Sequence, residues 1–334
     1  VVTRFDPDIP KPKPSPKFVD KIQEMTGVKR HEIAYLGDDD NTDTLCAINA
    51  HILPFTAHYS DSGKPMEYGI PIYNPEEFIR YLSSFGGQDE PYFGWYCNGT
   101  CADTEAPIEV YALYGQHGPP MNLTGRLTRV LKHRQTDQYG ESDMSDIIFH
   151  HLLNQCYLSG LTQRVDLITV YPGHSAESTN ELLEELSTFL AMIFRQRFVR
   201  GLLQRHTDAL KSQFQPQRKV FEQFKTIRVN PAHRSTVKGR SVLVLDDFTT
   251  TGYSLETARR MLLQAGANHV VCAAIGKWQW DYWSTRINGS WDPFSPFSLD
   301  EADVTLVRIN GNINHEADAY TTEAILPVYR DHAL

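Results

Sequence analysis

Two adjacent aspartates at the end of an apolar run are the residues best equipped to do chemistry in this chain. In "SVLVLDDFTTTGYS", residues 241–254, Val242 to Leu245 lead straight into Asp246 and Asp247, and threonines and a glycine follow. Neighbouring carboxylates at the end of a buried strand repel each other and lose solvation, so a structural role alone hardly accounts for them. A helix is expected to begin near Leu255. Backbone N–H groups at its start, unshielded at Gly252 and aided by hydroxyls of Thr249, Thr250, Thr251 and Ser254, form a cradle for a phosphate dianion. The two carboxylates fall one sugar-length earlier and suit the 2' and 3' hydroxyls of a ribose, because a carboxylate accepts strongly from such donors. The plain alternative is a buried strand followed by a threonine-rich turn.

A second constellation pairs "KPSPKF" at 13–18 with "YLGDDDNTDTLCAINA" at 35–50. Acids delivered by the carboxyl end of a strand can hold Mg2+ through oxygen, and a lysine nearby can neutralise a phosphoryl group. Spacing alone leaves a solvated acidic loop equally open.

The elements that must position these groups alternate in period. Helical spacing over Phe18 to Thr26, a strand ending at Gly37, a helix in "TDTLCAINA", a strand in "HILPFTAHYS" and a helix in "NPEEFIRYLSSF" with Asn74 as its cap fill the amino-terminal part. Beyond "FGGQDEP" at 85–91 come a strand in "IEVYALYG", a long helix around 143–159, a strand in "VDLITVYP", two helical stretches from 178 to 203, the helix "LETARRMLLQAG" and strands in "HVVCAAIG" and "DVTLVRI". Alternating strand and helix predicts an α/β fold, a parallel sheet flanked by helices. Two domains are expected, 1–87 and 88–334.

Composition narrows the classes. The chain has 334 residues, 41% of them hydrophobic, and its formal charge of -9 gives no basic footprint for nucleic acid. No apolar run reaches membrane-spanning length, so a cytoplasmic protein without membrane contact is expected. Five scattered cysteines suit reduced thiols better than a disulfide framework. Cys97 and Cys101 form one close pair, with no second pair at zinc-binding spacing. The sequence begins with Val1, which suits a processed, trimmed or partial chain.

"VLVLDDFTTTGYS" resembles the PRPP (phosphoribosyl pyrophosphate) signature of type I phosphoribosyltransferases: two apolar residues, two acids, two variable residues, then "TTG". Tyr253 departs from the small residue usual after that glycine. Residues 108–277 are similar to ComF-like members of the family, with Lys132 in an early helix and Arg205 and Arg218 as basic residues ahead of the PRPP strand. The resemblance implies the type I phosphoribosyltransferase fold, Mg2+ as cofactor and PRPP or a nucleotide as substrate, with Asp246 and Asp247 as catalytic residues. It implies a pyrophosphate loop at Tyr171, Pro172, Gly173 and His174, where Glu177 stands in place of a basic residue and would repel pyrophosphate. A small nitrogenous base would lie near "IGKWQWDYW", with Lys277 and Trp278 as contacts; the same tryptophans also suit core or a homo-oligomer interface.

The amino-terminal constellation resembles the carboxyl half of a haloacid dehalogenase (HAD) phosphatase domain: a lysine in "KPxPxxF" (Lys13) and "GDxxxTD" (Asp38, Asp43). The resemblance implies a phosphate half-site with Asp38 and Asp43 on the metal. The "DxDx[TV]" nucleophile is missing, since Asp6 and Asp8 lack a strand before them, so phosphatase activity is not expected of this chain alone. Two functions stay open: a phosphoribosyltransferase coupled to a HAD-like module, or a PRPP- or nucleotide-binding sensor that has lost turnover.

Overall fold

The computed structural model describes residues 13–85, 93–100, 107–115, 141–176, 179–209 and 220–314. Lys132, Glu177, Arg218, Cys101 and the 86–91 junction lie outside them.

The amino-terminal pattern forms a three-stranded parallel sheet of β1 (Ala34–Gly37), β2 (Leu53–Ala57) and β3 (Ile70–Ile72), in that order. The α-helices α1 (Lys17–Thr26), α2 (Leu45–Asn49) and α3 (Pro75–Phe85) accompany it. Helix α1 stops where Gly27 turns left-handed, at φ 73°. Asn74 caps α3 by accepting the Glu77 N–H at 3.0 Å, as expected of that residue type.

Among the described residues the larger sheet has seven strands. It contains β4 (Trp95–Thr100), β5 (Pro107–Tyr114), β6 (Leu167–Val170) and β7 (Arg197–Phe198), and a separate antiparallel pair, β8 (Leu203–Arg205) and β9 (Ile227–Val229), follows. Next come β10 (Ser241–Thr249) and β11 (His269–Lys277) in the sheet, the antiparallel ribbon β12 (Asp281–Ile287) with β13 (Val304–Asn310), and β14 (Asn312–Ile313). The spatial order is β14-β4-β5-β11-β10-β6-β7, with β5, β11, β10, β6 and β7 mutually parallel. The expected α/β sheet is therefore present, with an antiparallel extension of β4 and β14 that its short, Asn- and Gly-interrupted sequence conceals. The second expected helical stretch before residue 203 is instead chain turning into β7: α6 (Glu181–Ile193) ends, and Arg195 takes φ 51°.

Alternation decides the layers. Leu243, Leu245, Val271, Ala273 and Ile275 enter one hydrophobic cluster, and Val242, Val244, Val270, Cys272 and Ala274 enter another. A strand buried on both faces needs helices on both. The first face is covered by α4 (Glu141–Leu158), followed by the short α5 (Leu161–Arg164), and by α6; the small sheet packs there too, through Phe55 and Ile70, with Tyr81 of α3 beside them. The second face is covered by α7 (Val220–Phe224), which precedes the one-turn α8 (Arg234–Val237), and by α9 (Tyr253–Gln264). Leu255, Met261 and Leu262 of α9 are fully buried, each worth roughly 2 kcal/mol. No helix among the described residues is long and apolar enough to cross a membrane.

Candidate functional site

The chain leaves β6 through α6 on one face and steps outward to β7, and it leaves β10 through α9 on the other face and steps the opposite way to β11. Crossovers that diverge from adjacent parallel strands open a crevice at their carboxyl ends, which is where open α/β sheets receive ligands. The two loops there are the ones whose residue types suggested chemistry, 171–176 and 246–254. The strands are in register from Leu167 and Val242 to Val170 and Leu245, and the Tyr171 N–H donates to the Leu245 carbonyl at 2.8 Å.

Asp246 is buried at 8% exposure and Asp247 is half-buried. Each carboxylate folds back on the chain: Asp246 Oδ1 accepts the Asp247 N–H at 2.9 Å, and Asp247 Oδ1 accepts the Phe248 N–H at 2.5 Å. Those bonds offset part of the desolvation and repulsion of the pair. Thr250 is exposed, and Thr251 and Ser254 are half-buried at the mouth. Thr249 is buried at 1%, and its hydroxyl has no hydrogen-bond partner among the described residues. Gly252 holds φ 85° as the N-cap of α9, a conformation that favours glycine, and a Cβ there would collide with the Tyr282 ring. The first N–H groups of α9 have no acceptor within the helix. Tyr253 turns its ring partly against the second hydrophobic cluster.

The carbonyls of this loop are tied to the segment after β11. The Thr249 carbonyl accepts the Trp278 N–H at 3.0 Å, the Thr251 carbonyl accepts the Trp283 N–H at 3.0 Å, and the Thr250 carbonyl accepts from Lys277 Nζ. Lys277 is 1% exposed and also donates to the Asp281 carbonyl at 2.9 Å. Burial lowers its pKa to about 7, against small opposing effects of Asp281 and Cys97. The amine thus turns into the protein beneath the loop, a position that does not suit the base contact expected of it. Trp278 is half-buried, its ring 5.8 Å from that of Phe248.

Beneath the same loop, Glu256 is fully buried on α9. Its carboxylate meets Arg259 at 2.9 Å, Arg260 at 3.1 Å, the Tyr282 hydroxyl at 2.7 Å, and the N–H and hydroxyl of Thr285 at 2.7 and 2.8 Å. Burial alone would raise this carboxyl; Arg259, Arg260 and Tyr282 override it and hold it at about 2. Sequence reasoning missed this network. The i, i+3, i+4 spacing of Glu256, Arg259 and Arg260 was the available signal, but on a helix that pattern ordinarily marks a solvated face.

The loop after β6 is held from the other side. The Tyr171 hydroxyl donates to Gln223 Oε1 at 2.8 Å. Arg205, 3% exposed, donates from Nε to the Gly173 carbonyl and from Nη1 to the Thr226 hydroxyl at 2.5 Å. The His174 carbonyl accepts the Ala209 N–H at 2.8 Å, and the Ala176 N–H donates to Asp208 at 2.9 Å. Pro172 and Gly173 are half-buried and His174 exposed at the crevice.

The amino-terminal constellation assembles differently. Lys13 Nζ sits 2.6 Å from Asp43 Oδ1, which the Tyr35 hydroxyl also reaches at 3.3 Å, and Asp43 Oδ2 accepts the Asp38 N–H at 3.2 Å. Gly37 allows this approach, because a Cβ there would overlap the Asp43 side chain. Asp38 accepts the Ser60 hydroxyl at 2.8 Å. Lys13 is held charged: burial lowers its pKa, but the hydrogen bonds it donates to Asp43 and Tyr35 outweigh that and raise it from its ordinary value. No group of three or more His, Cys, Asp or Glu residues able to hold a metal occurs among the described residues. With Asp43 paired to an ammonium, Asp38 and Asp43 do not fit a Mg2+ site by themselves.

No model of a known protein family matches the sequence, and no curated protein matches it. Among solved structures, a purine phosphoribosyltransferase from Pyrococcus horikoshii Ot3 is similar over 48% of this chain and 94% of its own, at 14% identity and a TM-score of 0.24, too loose to establish kinship.

Proposed function

We propose that the crevice between β6 and β10 binds the phosphoribosyl group of PRPP or a nucleotide, and that the chain is a phosphoribosyltransferase of nucleotide metabolism. The observation that carries this reading is the order of groups at one strand end: two carboxylates, a loop with its carbonyls tied back, and a helix start, beside a second loop across a topological switch point. In this reading Asp246 and Asp247 accept the ribose hydroxyls, Thr250, Thr251, Gly252 and Ser254 receive the 5'-phosphate, and Tyr171 to His174 face the pyrophosphate. Transfer at C1' through an oxocarbenium-like state needs positioning and charge stabilisation rather than a nucleophilic side chain. Mg2+, when bound with the substrate's phosphates, would neutralise the departing charge.

The test is pyrophosphate release from PRPP across a panel of purines, pyrimidines and ammonia. Release that depends on one nitrogenous acceptor supports the transferase. Silence across the panel, with PRPP still binding, favours the second reading, a PRPP or nucleotide sensor, for which the sequence position of Glu177 speaks. We propose further that Lys13, Asp38 and Asp43 belong to a HAD-like module coupled to the transferase; with no nucleophile motif in the sequence, phosphate release by this chain is not expected.

A further inference from the structure

Three consecutive carbonyls of the phosphate loop, those of Thr249, Thr250 and Thr251, accept hydrogen bonds from one short segment, Lys277 to Trp283. In a trans peptide the carbonyl of one residue and the N–H of the next point in opposite directions. Tying those carbonyls to one side therefore turns the N–H groups of Thr250, Thr251 and Gly252 to the other, a concavity of donors of the kind that binds anions. The outer two carbonyls are held by backbone N–H groups. The middle one is held by a side chain, the Lys277 ammonium, which also grips the Asp281 carbonyl at 2.9 Å and lies 4.8 Å from the centre of the Trp95 ring. The same segment supplies Tyr282, whose buried ring fills the space beside Gly252.

We propose that Lys277 is a positioning residue that sets the loop at 249–252 to receive a phosphate monoester, fixing the Thr250 carbonyl and adding a positive charge beneath the cradle. This rests on the phosphate-binding reading of that loop and assigns Lys277 a role in it other than contact with the base. Titration follows from the same geometry. The groups that face Lys277 are Asp281 on its own connection, the Trp95 ring and the Cys97 thiol on β4, and, beyond Cys97, the Glu256 and Arg259 pair on α9. Burial raises the Cys97 thiol to about 11, so it is uncharged near neutrality. Lys277 is therefore charged at pH 6 and neutral at pH 9, and while it stays buried its hold on the Thr250 carbonyl is tighter, and its field for a dianion stronger, at the lower pH. By linkage, a bound phosphate raises the Lys277 pKa in return.

Amide hydrogen exchange of residues 249–254 in the ligand-free full chain tests this without reliance on any substrate. Corrected for intrinsic rates, exchange through local opening of the loop, in which Lys277 stays buried and loses only its carbonyl acceptors, should be slower in the wild type at pH 6 than at pH 9, whereas core amides that exchange through global unfolding follow the opposite trend. Lys277→Met should accelerate it about tenfold at pH 6 and abolish the pH dependence, with no matching acceleration in β6 or the apolar part of β10. Lys277→Gln, which keeps a donor, should recover part of the protection but none of the pH dependence. Equal exchange at both pH values in the wild type overturns the proposal, even if neither variant folds. Calorimetric titration with PRPP and Mg2+, run in parallel, separates the two claims. No binding to the wild type removes the phosphoribosyl reading and leaves the exchange result to decide Lys277; normal binding with unaltered exchange removes Lys277 alone.

Discussion

The molecule uses one set of ingredients twice, a strand ending in acids with a lysine close by, and uses them in opposite ways. At the amino-terminal site the lysine meets the acid: Lys13 and Asp43 lie 2.6 Å apart, with a third of the lysine side chain exposed. At the carboxyl end of β10 the lysine goes underneath: Lys277 is buried and holds backbone carbonyls, while Asp246 and Asp247 bond to the N–H groups that follow them. A paired acid is already neutralised and offers little to a ligand. Acids bonded to the backbone that follows them, above a lysine that orients a loop, are not closed off by that lysine. In the proposed reading the second arrangement is preorganised for a polar ligand, whereas the first is closed on itself.

Opposite lysine environments give opposite dependences on pH. Lys277 has its pKa depressed to about 7 from an ordinary 10.5. Its burial costs stability in full below pH 7, where it must be charged, and the cost disappears as pH rises from about 7 to about 10.5. The gap is worth on the order of 5 kcal/mol. Lys13 has its pKa raised, so its contribution is present below pH 10.5 and is lost above the raised value. Denaturant unfolding across pH 6–10 should show stability rising in the wild type, and Lys277→Met should flatten that rise while Lys13→Met leaves it.

Supports buried beneath the β10 loop should also be costlier to remove than the surface pair. Glu256→Gln leaves Arg259 and Arg260 without their carboxylate in a site sealed from water, which should cost about 4 kcal/mol in urea unfolding. The pH signature is equally specific. Glu256 has its pKa held at about 2, so its contribution is full above about 4.5 and fades as pH falls toward 2; the variant should lose that part of the acid transition. The smallest effect belongs to the partly exposed pair: Lys13→Met should cost about 1 kcal/mol or less. A larger loss at Lys13 than at Glu256 would reverse the comparison.

What the sequence makes legible follows from how local its signals are. The strand, loop and helix of 241–264 declare themselves because each position has its own chemistry: apolar run, acids, hydroxyls, glycine, helix. The groups that support the loop do not. Lys277 sits among tryptophans and reads as a base contact; only the register of β11 against β10, Thr249 beside Lys277, brings its amine under the Thr250 carbonyl. Glu256, Arg259 and Arg260 read as solvated because helical spacing cannot reveal that Tyr282 and Thr285 return from the ribbon to cover them. Arg205 reads as a basic residue ahead of the β10 strand, yet its burial against the Gly173 carbonyl depends on β8, a three-residue strand too short to show a period. Lys13, Asp38 and Asp43 stand out as a group by their spacing, but their closure onto one another depends on Gly37 admitting the Asp43 side chain.

The most direct measurement is the thermal shift produced by PRPP with Mg2+ in the wild type and in the Asp246→Asn, Asp247→Asn double variant. Removing two carboxylates that accept ribose hydroxyls should weaken binding by at least a hundredfold, on the order of 3 kcal/mol. The account predicts a clear upward shift in the wild type and none in the double variant at the same PRPP concentration. Equal shifts in the two proteins, or none in the wild type, would contradict it.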